Sequence, residues 1–248
     1  MNAIDLLKDI TPIHAAFLFL GQNLAVFAAA VALGRIIQDY SGQQIIAKPG
    51  KLTLLEISLT ISTILLNSLV TLAGWWLWKN GFIKIRFGLS AWDLVDFFVL
   101  FFVMDFSMYV LHRLAHYKPI YPYLHAIHHK TINVRPITLF VLHPVENSGF
   151  GLLWLLLLII YPSGIYAIVA YLIVNVIYGV LGHTGAEPIP VKLRGKIIFR
   201  IVTSSYFHAW HHAQLNTNFG FYTTIPDLIF KSLGKNYFSD FVRGKFLT

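Results

Sequence analysis

The chain has 248 residues, of which 56 % are apolar and 12 % are charged, against about 25 % charged in ordinary soluble domains. Its formal net charge is +8, but the basic residues flank apolar runs. There they match anionic lipid headgroups and cytoplasmic orientation, so nucleic acid is not an expected partner. The sequence contains no cysteine, which excludes disulfides, thiolate-bound metals and iron–sulfur clusters.

Apolar runs long enough to cross a bilayer follow one another along the chain. A short amphipathic segment, residues 1–12, precedes them and does not resemble a cleavable signal peptide. We predict that the first run ends at Gly34 and is followed by a polar loop over 34–51, which includes Ser41 and Gly42. The sequence therefore predicts an all-α polytopic membrane bundle of four or five transmembrane helices, at about 13–33, 52–78, 91–111, 143–160 and 165–181.

The last two runs form a predicted helical hairpin with clear boundary signals. Pro144 suits the first position of a helix and Glu146 suits its first turn. Gly182 is a good C-terminal stop for the return helix. His143 and His183 are therefore expected at the two open ends of the hairpin, on the same side of the membrane.

Eight of the eleven histidines fall in three clusters with helical spacing. Residues at i and i+4, or at i, i+3 and i+4, project from one side of a helix. Neutral imidazole is the commonest side-chain metal ligand, and nitrogen ligands suit Fe, Zn, Cu or Ni. With His143 and His183 there are ten candidate ligands, enough for two adjacent metal ions. The clustered residues are His112 and His116; His125, His128 and His129; and His208, His211 and His212.

Other kinds of histidine site fit less well. Bis-histidine haem ligation needs only two to four of these residues, and structural zinc sites use four ligands that usually include cysteine. Zinc peptidases carry His-Glu-x-x-His, which is absent here. A non-catalytic metal-binding or metal-transporting membrane protein stays open, although transport favours ligands within the spans rather than at their ends.

The order of these motifs resembles the fatty acid hydroxylase / sterol desaturase superfamily over about residues 105–234. Phe219 stands where that family usually has Tyr, and Pro226 where it often has Trp. The three-residue gap in the first cluster favours this family over acyl-CoA desaturases. Beyond the histidine spacing, the similar segments are Asp105-Phe-x-x-Tyr-x-x-His112-Arg-x-x-His116, residues 133–146, Asn218-Phe219-Gly220 and Asp227.

The resemblance implies a catalytic domain over 91–240 behind an N-terminal transmembrane region, 1–90. Family members use a non-haem di-iron centre and O2 to hydroxylate or desaturate C–H bonds of fatty acyl chains, sterols, sphingolipids and related lipids. A carotenoid hydroxylase or ketolase is the alternative within the same chemistry. By resemblance, the eight clustered histidines are the iron ligands, and His143 and His183 match positions that also approach the metals.

Two carboxylates are candidates for orienting ligand imidazoles. Asp105 lies seven residues before His112 on the same helical stripe, and Glu146 lies one turn after His143. We predict that each carboxylate accepts an imidazole N–H. A capping or ion-pair role is the alternative for both residues.

Sidedness follows from the basic residues. If the histidines face the cytoplasm, loops on that side hold 15 of the 19 Lys and Arg residues, as the positive-inside rule favours. The site is therefore expected on the cytoplasmic side of a bacterial inner membrane or the endoplasmic reticulum. A lipid substrate would enter from the bilayer. Electrons are expected from an external donor such as cytochrome b5 or a ferredoxin with its reductase, docked on the basic face.

Overall fold

The computed structural model describes residues 3–40, 43–131 and 133–247; Ser41 and Gly42 of the predicted polar loop lie outside the described residues. Helices dominate. They are α1 Ala3–Asp9, α2 Pro12–Tyr40, α3 Leu54–Lys79, α4 Trp92–Ala115, α5 Tyr121–Leu124, α6 Ala126–His129, α7 Pro144–Ile160, α8 Ile165–Gly182, α9 Ile198–Ile201, α10 Ser205–Ala213, α11 Ile225–Ile229 and α12 Tyr237–Arg243, with 3-10 helices at Pro136–Phe140 and Val191–Leu193, and two-residue strands β1 Ile85–Arg86 and β2 Ser163–Gly164.

Four helices in the described part of the chain are long and apolar enough to cross a membrane: α2, α3, α4 and α8. The 17-residue α7 is a shorter apolar helix between them. Large apolar side chains on these helices point outward, among them Phe17, Leu69 and Phe102, as expected of surfaces that contact lipid tails. The predicted all-α polytopic membrane bundle is confirmed.

The first transmembrane helix is longer than predicted. It continues past Gly34 to Tyr40, because Gly34 serves packing rather than helix termination. A Cβ atom at this position would lie 2.6 Å from the Cβ of Pro136. The missing side chain lets the 3-10 helix at Pro136–Phe140 approach α2 closely.

The predicted hairpin boundaries are confirmed. His143 is the N-cap of α7, Pro144 follows it at the first helical position, and Glu146 lies in the first turn. The return helix α8 ends at Gly182, with His183 as its C-cap. The chain turns between the two helices at Ser163–Gly164, which pairs in parallel with Ile85–Arg86 at the opposite end of the bundle from the histidines.

The core of the bundle lies between α4, α7 and α8, where Leu100, Met104, Leu155 and Tyr171 are buried together. Next to it, α3 and α7 pack closely, since a Cβ on Gly151 would lie 2.6 Å from a methyl carbon of Val70. These contacts hold the membrane helices around an internal cavity.

The C-terminal part of the chain folds into a cap of short helices over one end of the bundle. Its core is aromatic and buries Tyr206, Trp210, Tyr237 and Phe241. The guanidinium of the fully buried Arg194 donates to the Ile189 carbonyl at 2.8 Å. This cap fixes α10, which carries the third histidine cluster.

Candidate metal centre

Four separate stretches of the chain meet beneath the cap and bring nine histidines together. The C-terminal end of α4 supplies the first cluster, and α6 with the residue that precedes it, His125, supplies the second. His183 follows the last residue of α8, and α10 supplies the third cluster. The nine side chains form two ligand groups whose nitrogens lie within 4.8 Å of one another in each group: group one, His112, His116, His125, His129 and His211; group two, His128, His183, His208 and His212.

Within group one, the Nε2 atoms converge on a common point. The Nε2 atoms of His112 and His125 are 3.1 Å apart, and those of His116 and His129 are 3.2 Å apart. The Nε2 atom of His211 lies 3.1 Å from that of His129. Three regions of sequence therefore contribute to one group.

Group two has the same arrangement. The Nε2 atom of His212 lies 3.2 Å from that of His128 and 3.1 Å from that of His208. The Nε2 atom of His183 lies 3.2 Å from that of His208 and 3.4 Å from that of His128. Every member of the group thus has a neighbouring nitrogen at nearly the same separation.

The two His-x2-His-His clusters divide between the groups in the same way. His125 and His129 belong to group one and His128 to group two; His208 and His212 belong to group two and His211 to group one. At about 100° per residue, positions i and i+4 differ by about 40°, whereas i+3 and i+4 differ by about 100°. Each cluster therefore contributes histidines to both groups, so the two groups lie side by side.

Backbone carbonyls hold four of the imidazoles in one tautomer. A carbonyl oxygen only accepts, so the Nδ1 atom facing it carries the proton and the Nε2 lone pair is free for a metal. The pairs are His112 Nδ1 with Phe219 O at 2.8 Å, His128 with Val141 O at 3.2 Å, His183 with Gly179 O at 2.8 Å and His211 with Thr217 O at 2.7 Å.

These features fit one metal ion in each group. With metal–nitrogen bonds of about 2.1 Å, ligands at right angles would lie about 3.0 Å apart, close to the 3.1–3.4 Å separations of the Nε2 atoms. Lone pairs facing each other at such distances repel unless a proton or a cation lies between them. The all-nitrogen donor set suits iron, zinc, copper or nickel.

Burial keeps the imidazoles outside the spans neutral. Loss of hydration lowers the pKa of His128 to about 4. Burial, and then repulsion from neighbouring imidazoles, lowers the pKa of His116 and of His183 to about 3. At pH 7 these side chains are uncharged, which is the form that binds metals.

Glu146 contacts a ligand imidazole. Its Oε1 atom accepts a hydrogen bond from the Nδ1–H group of His125, and the two atoms are 2.6 Å apart. This is the geometry expected of a residue that orients a ligand. Its Oε2 atom is buried and has no hydrogen-bond partner among the described residues. Glu146 thus lies where the sequence predicted a carboxylate that accepts an imidazole N–H.

Asp105 does not contact an imidazole among the described residues, so the predicted contact is wrong. Its oxygens accept from the Tyr222 N–H at 2.8 Å and from the Thr223 hydroxyl at 2.5 Å. The reason is that α4 presents Asp105 to the loop after α10, whose backbone donors occupy the carboxylate. Asp105 therefore fixes this loop rather than an imidazole.

The same loop carries the acceptor for His112, and a second carboxylate holds it. Asp227 accepts from the backbone N–H groups of Phe219 and Gly220 at 2.9 and 2.7 Å. The Phe219 carbonyl in turn accepts from His112. A Cβ on Gly220 would lie 2.6 Å from the Thr223 carbonyl oxygen, so this turn requires glycine.

His143 belongs to neither ligand group of the described residues. Its Nδ1 atom accepts from the Val145 N–H at 3.3 Å and caps α7. The family resemblance implied that His143 approaches the metals, and the hairpin placed it on the same side of the membrane as His183. The capping bond instead turns the His143 imidazole toward its own helix.

A cavity of about 600 Å³ begins at the histidines and runs into the bundle between α2, α3, α4, α7 and α8. His112, His125, His128 and other histidines line its upper end, and most of its wall is apolar. Trp75 and Trp78 of α3 are also among its lining residues. The cavity is therefore suited to an apolar molecule that reaches the two histidine groups from within the membrane.

Together these features define a polytopic membrane protein with a polyhistidine centre of two neighbouring ligand groups above an apolar cavity. The chain belongs to the fatty acid hydroxylase family, whose model matches residues 97–232, more than half of the chain. Both ligand groups lie within the matched segment. No solved structure matches the chain significantly.

Several curated proteins are similar to this chain over more than half of its length. The Delta(7)-sterol 5(6)-desaturase of Leptosphaeria maculans is 30 % identical over 54 % of the chain and 35 % of its own length. The enzyme of that name from Candida glabrata is 28 % identical over 70 % of the chain and 47 % of its own length. The very-long-chain aldehyde decarbonylase GL1-6 of Oryza sativa subsp. indica is 30 % identical over 54 % of the chain and 22 % of its own length.

The chain spans less than half the length of each of these relatives. Their names describe enzymes that modify lipids. The chain thus belongs to a membrane-bound family of lipid hydroxylases and desaturases.

Proposed function

We propose that the protein is a non-haem di-iron oxygenase that hydroxylates or desaturates an unactivated C–H bond of a lipid, using O2 and electrons from an external donor. The observation that carries the proposal is the meeting of two histidine ligand groups at the upper end of an apolar membrane cavity. Candidate substrates are fatty acyl chains, sterols, sphingolipids and related lipids.

Each part of the site has a role in this proposal. The nine histidines of the two groups would hold the irons, which when bound supply the activation of O2 needed to attack an unreactive C–H bond. Backbone carbonyls and Glu146 would orient the imidazoles, and Glu146 accepts the hydrogen bond from the Nδ1–H group of His125. The apolar wall, including Met108 and Phe150, holds the hydrocarbon and excludes water.

We further propose that the centre faces the cytoplasm, in a bacterial inner membrane or the endoplasmic reticulum, and receives electrons from cytochrome b5 or a ferredoxin with its reductase. The excess of Lys and Arg in the loops on the histidine side supports both statements. We also propose a division into an N-terminal region, 1–90, and a catalytic domain, 91–240. The family match at 97–232 lies within the second segment.

The test combines metal analysis with lipid profiling of a strain that expresses the full chain. We expect about two irons per chain, no haem absorption and new oxidised lipids. His129→Ala and His212→Ala, one from each group, should lose iron and product. His14→Ala is the matched control, since His14 is exposed and, among the described residues, hydrogen-bonds locally with Thr11.

An unchanged lipid profile and no O2 consumption by iron-loaded protein supplied with a reductant would overturn the oxygenase proposal. That result would favour a non-catalytic metal-binding protein. Loss of iron in His14→Ala, or full iron retention in both His129→Ala and His212→Ala, would contradict the assignment of the two ligand groups.

A further inference from the structure

Two amides face each other in the wall of the largely apolar cavity. Asn67 on α3 and Asn147 on α7 both line it, and the Asn147 Nδ2 atom donates to the Asn67 Oδ1 atom at 3.1 Å. Asn147 is 5 % exposed. Polar side chains at membrane depth are costly unless they are satisfied, and they commonly mark a binding site.

The pair has unused hydrogen-bonding capacity. The contact uses the Asn147 Nδ2 atom and the Asn67 Oδ1 atom. The Asn67 Nδ2 group and the Asn147 Oδ1 atom therefore have no hydrogen-bond partner among the described residues. Nearby polar groups do not fill them: the Thr71 hydroxyl donates to the Asn67 backbone carbonyl at 2.8 Å, and the Asn23 amide donates to the Phe19 carbonyl at 2.9 Å. A ligand that offers both a donor and an acceptor would satisfy the pair.

The pair lies at the histidine end of the cavity. Asn147 follows directly on Glu146, which is bonded to the ligand His125. Trp78, at the far end of α3, lies eleven residues beyond Asn67, which is about 16 Å along a helix. An elongated ligand held by the amides would therefore place its polar group near the metal centre and its apolar body toward Trp78.

The chemistry of the lining selects the kind of polar group. No Lys or Arg occurs among the described residues that line the cavity, so a carboxylate or a phosphate bound at the two amides would have no basic side chain to pair with. A carbonyl oxygen only accepts and would leave the amide oxygen unpaired. A hydroxyl both donates and accepts, which matches the two free positions.

We propose that Asn67 and Asn147 form a subsite for the hydroxyl of a neutral lipid alcohol, whose carbons nearest that hydroxyl lie closest to the two histidine groups. The effect of this subsite on which carbon is oxidised rests on the proposed oxygenase function. The subsite makes the substrate a lipid alcohol rather than a free fatty acid or a phospholipid. It also directs oxidation toward the hydroxyl-bearing end of the molecule.

The test measures competition for radiolabelled 1-hexadecanol on the full chain in nanodiscs. We expect 1-hexadecanol to compete about tenfold better than hexadecane, the effect of a hydrogen bond to a buried neutral partner. The methyl ether 1-methoxyhexadecane, which accepts but does not donate, should lie between them. Hexadecanoate at pH 7.5 should compete less well than the alcohol.

Variants test whether the preference for the alcohol arises from the two asparagines. The double substitution Asn67→Leu with Asn147→Leu, of similar side-chain volume, should abolish the preference for the alcohol over the alkane. Ser68→Ala is the matched control on α3, since its hydroxyl donates to its own helix at the Ile64 carbonyl and does not line the cavity. It should retain the full preference.

Equal competition by the alcohol, the ether and the alkane on the wild-type chain would overturn the subsite, whether or not any variant folds. Stronger competition by hexadecanoate, or a preference for the alcohol that persists in a folded double variant, would overturn it too. The oxygenase proposal is tested by a different result, the formation of oxidised product. Selective alcohol binding without any oxidised product leaves the subsite intact, whereas oxidised product without alcohol selectivity contradicts only the subsite.

Discussion

At the scale of single residues, Glu146 and His125 form the closest contact between a carboxylate and the ligand groups. Removing an acceptor of this kind lowers metal affinity about 10- to 100-fold, because the imidazole loses its fixed orientation. We expect Glu146→Leu to show that loss in iron content after dialysis against a chelator. Glu146→Gln, whose amide oxygen still accepts, should retain more iron, and full retention by the leucine variant would contradict an orienting role.

His143 and His183 provide a matched pair, because both lie at the ends of the same helical hairpin. His183 belongs to group two, whereas His143 caps α7. We expect His183→Ala to lower iron content by about one ion per chain. His143→Ala should keep both ions and lose about 1 kcal/mol of stability as a lost helix cap. Metal analysis with thermal unfolding separates the two, and equal iron loss would place His143 in the ligand set.

Some residues of the site were accessible from the sequence and others were not. Helical spacing identified the histidines, and the first-turn position identified Glu146. The same stripe argument failed for Asp105, because spacing does not tell which surface faces the loop of Tyr222 and Thr223. The carbonyls of Phe219 and Val141 carried no signal, since any residue supplies a carbonyl.

At the scale of elements, the spacing of His-x2-His-His does more than gather imidazoles on one side. The i and i+4 residues enter one group and the i+3 residue enters the other, both in the segment around α6 and in α10. One short helical turn thereby links two metal positions. A change of register in α10 would disturb both groups at once, because His211 and His212 serve different ones.

Helix α2 shows how one glycine sets an interhelical distance. A Cβ on Gly34 would lie 2.6 Å from Pro136, whereas one on Gly21 of the same helix would meet no atom within 4 Å. We expect Gly34→Ala to destabilise the protein by about 1–3 kcal/mol through overpacking. Gly21→Ala should be neutral or stabilising by up to about 1 kcal/mol.

The free energy of unfolding, measured by denaturant titration in mixed micelles, checks this pair. A neutral Gly34→Ala would mean that α2 and the 3-10 helix separate at no cost. Equal destabilisation by both alanines would point to a general effect of substitution in this helix rather than to the Pro136 contact.

At the scale of the whole molecule, burial of the imidazoles predicts a pH dependence of stability. Unfolded histidines titrate near 6.5, whereas burial lowers the pKa of His128 to about 4 and of His183 to about 3. As the pH falls below about 6.5, the unfolded chain therefore binds more protons than the folded one, and stability declines. Above pH 7 these groups do not make the stability depend on pH.

We expect the thermal midpoint of the metal-free protein to be level above pH 7 and to fall steadily from pH 6.5 to 4. His183→Ala should reduce the slope because it removes one buried imidazole. A midpoint that rises on acidification would show that the imidazoles are not buried in neutral form.

The sequence by itself determined the membrane bundle, the approximate spans, the ends of the hairpin and the identity of the histidine clusters. Each of these depends on local composition or on helical periodicity, which act over one segment at a time. The order of the motifs along the chain also produced the resemblance to the family, and that resemblance implied a type of chemistry.

Tertiary structure alone decided how nine imidazoles divide into two groups, why His143 is excluded and where Asp105 directs its carboxylate. It also decided that Asn67 and Asn147, 80 residues apart, meet in the cavity wall. These outcomes depend on the packing of α3, α4, α7 and the cap, and such packing is set by distant side chains that local periodicity does not report.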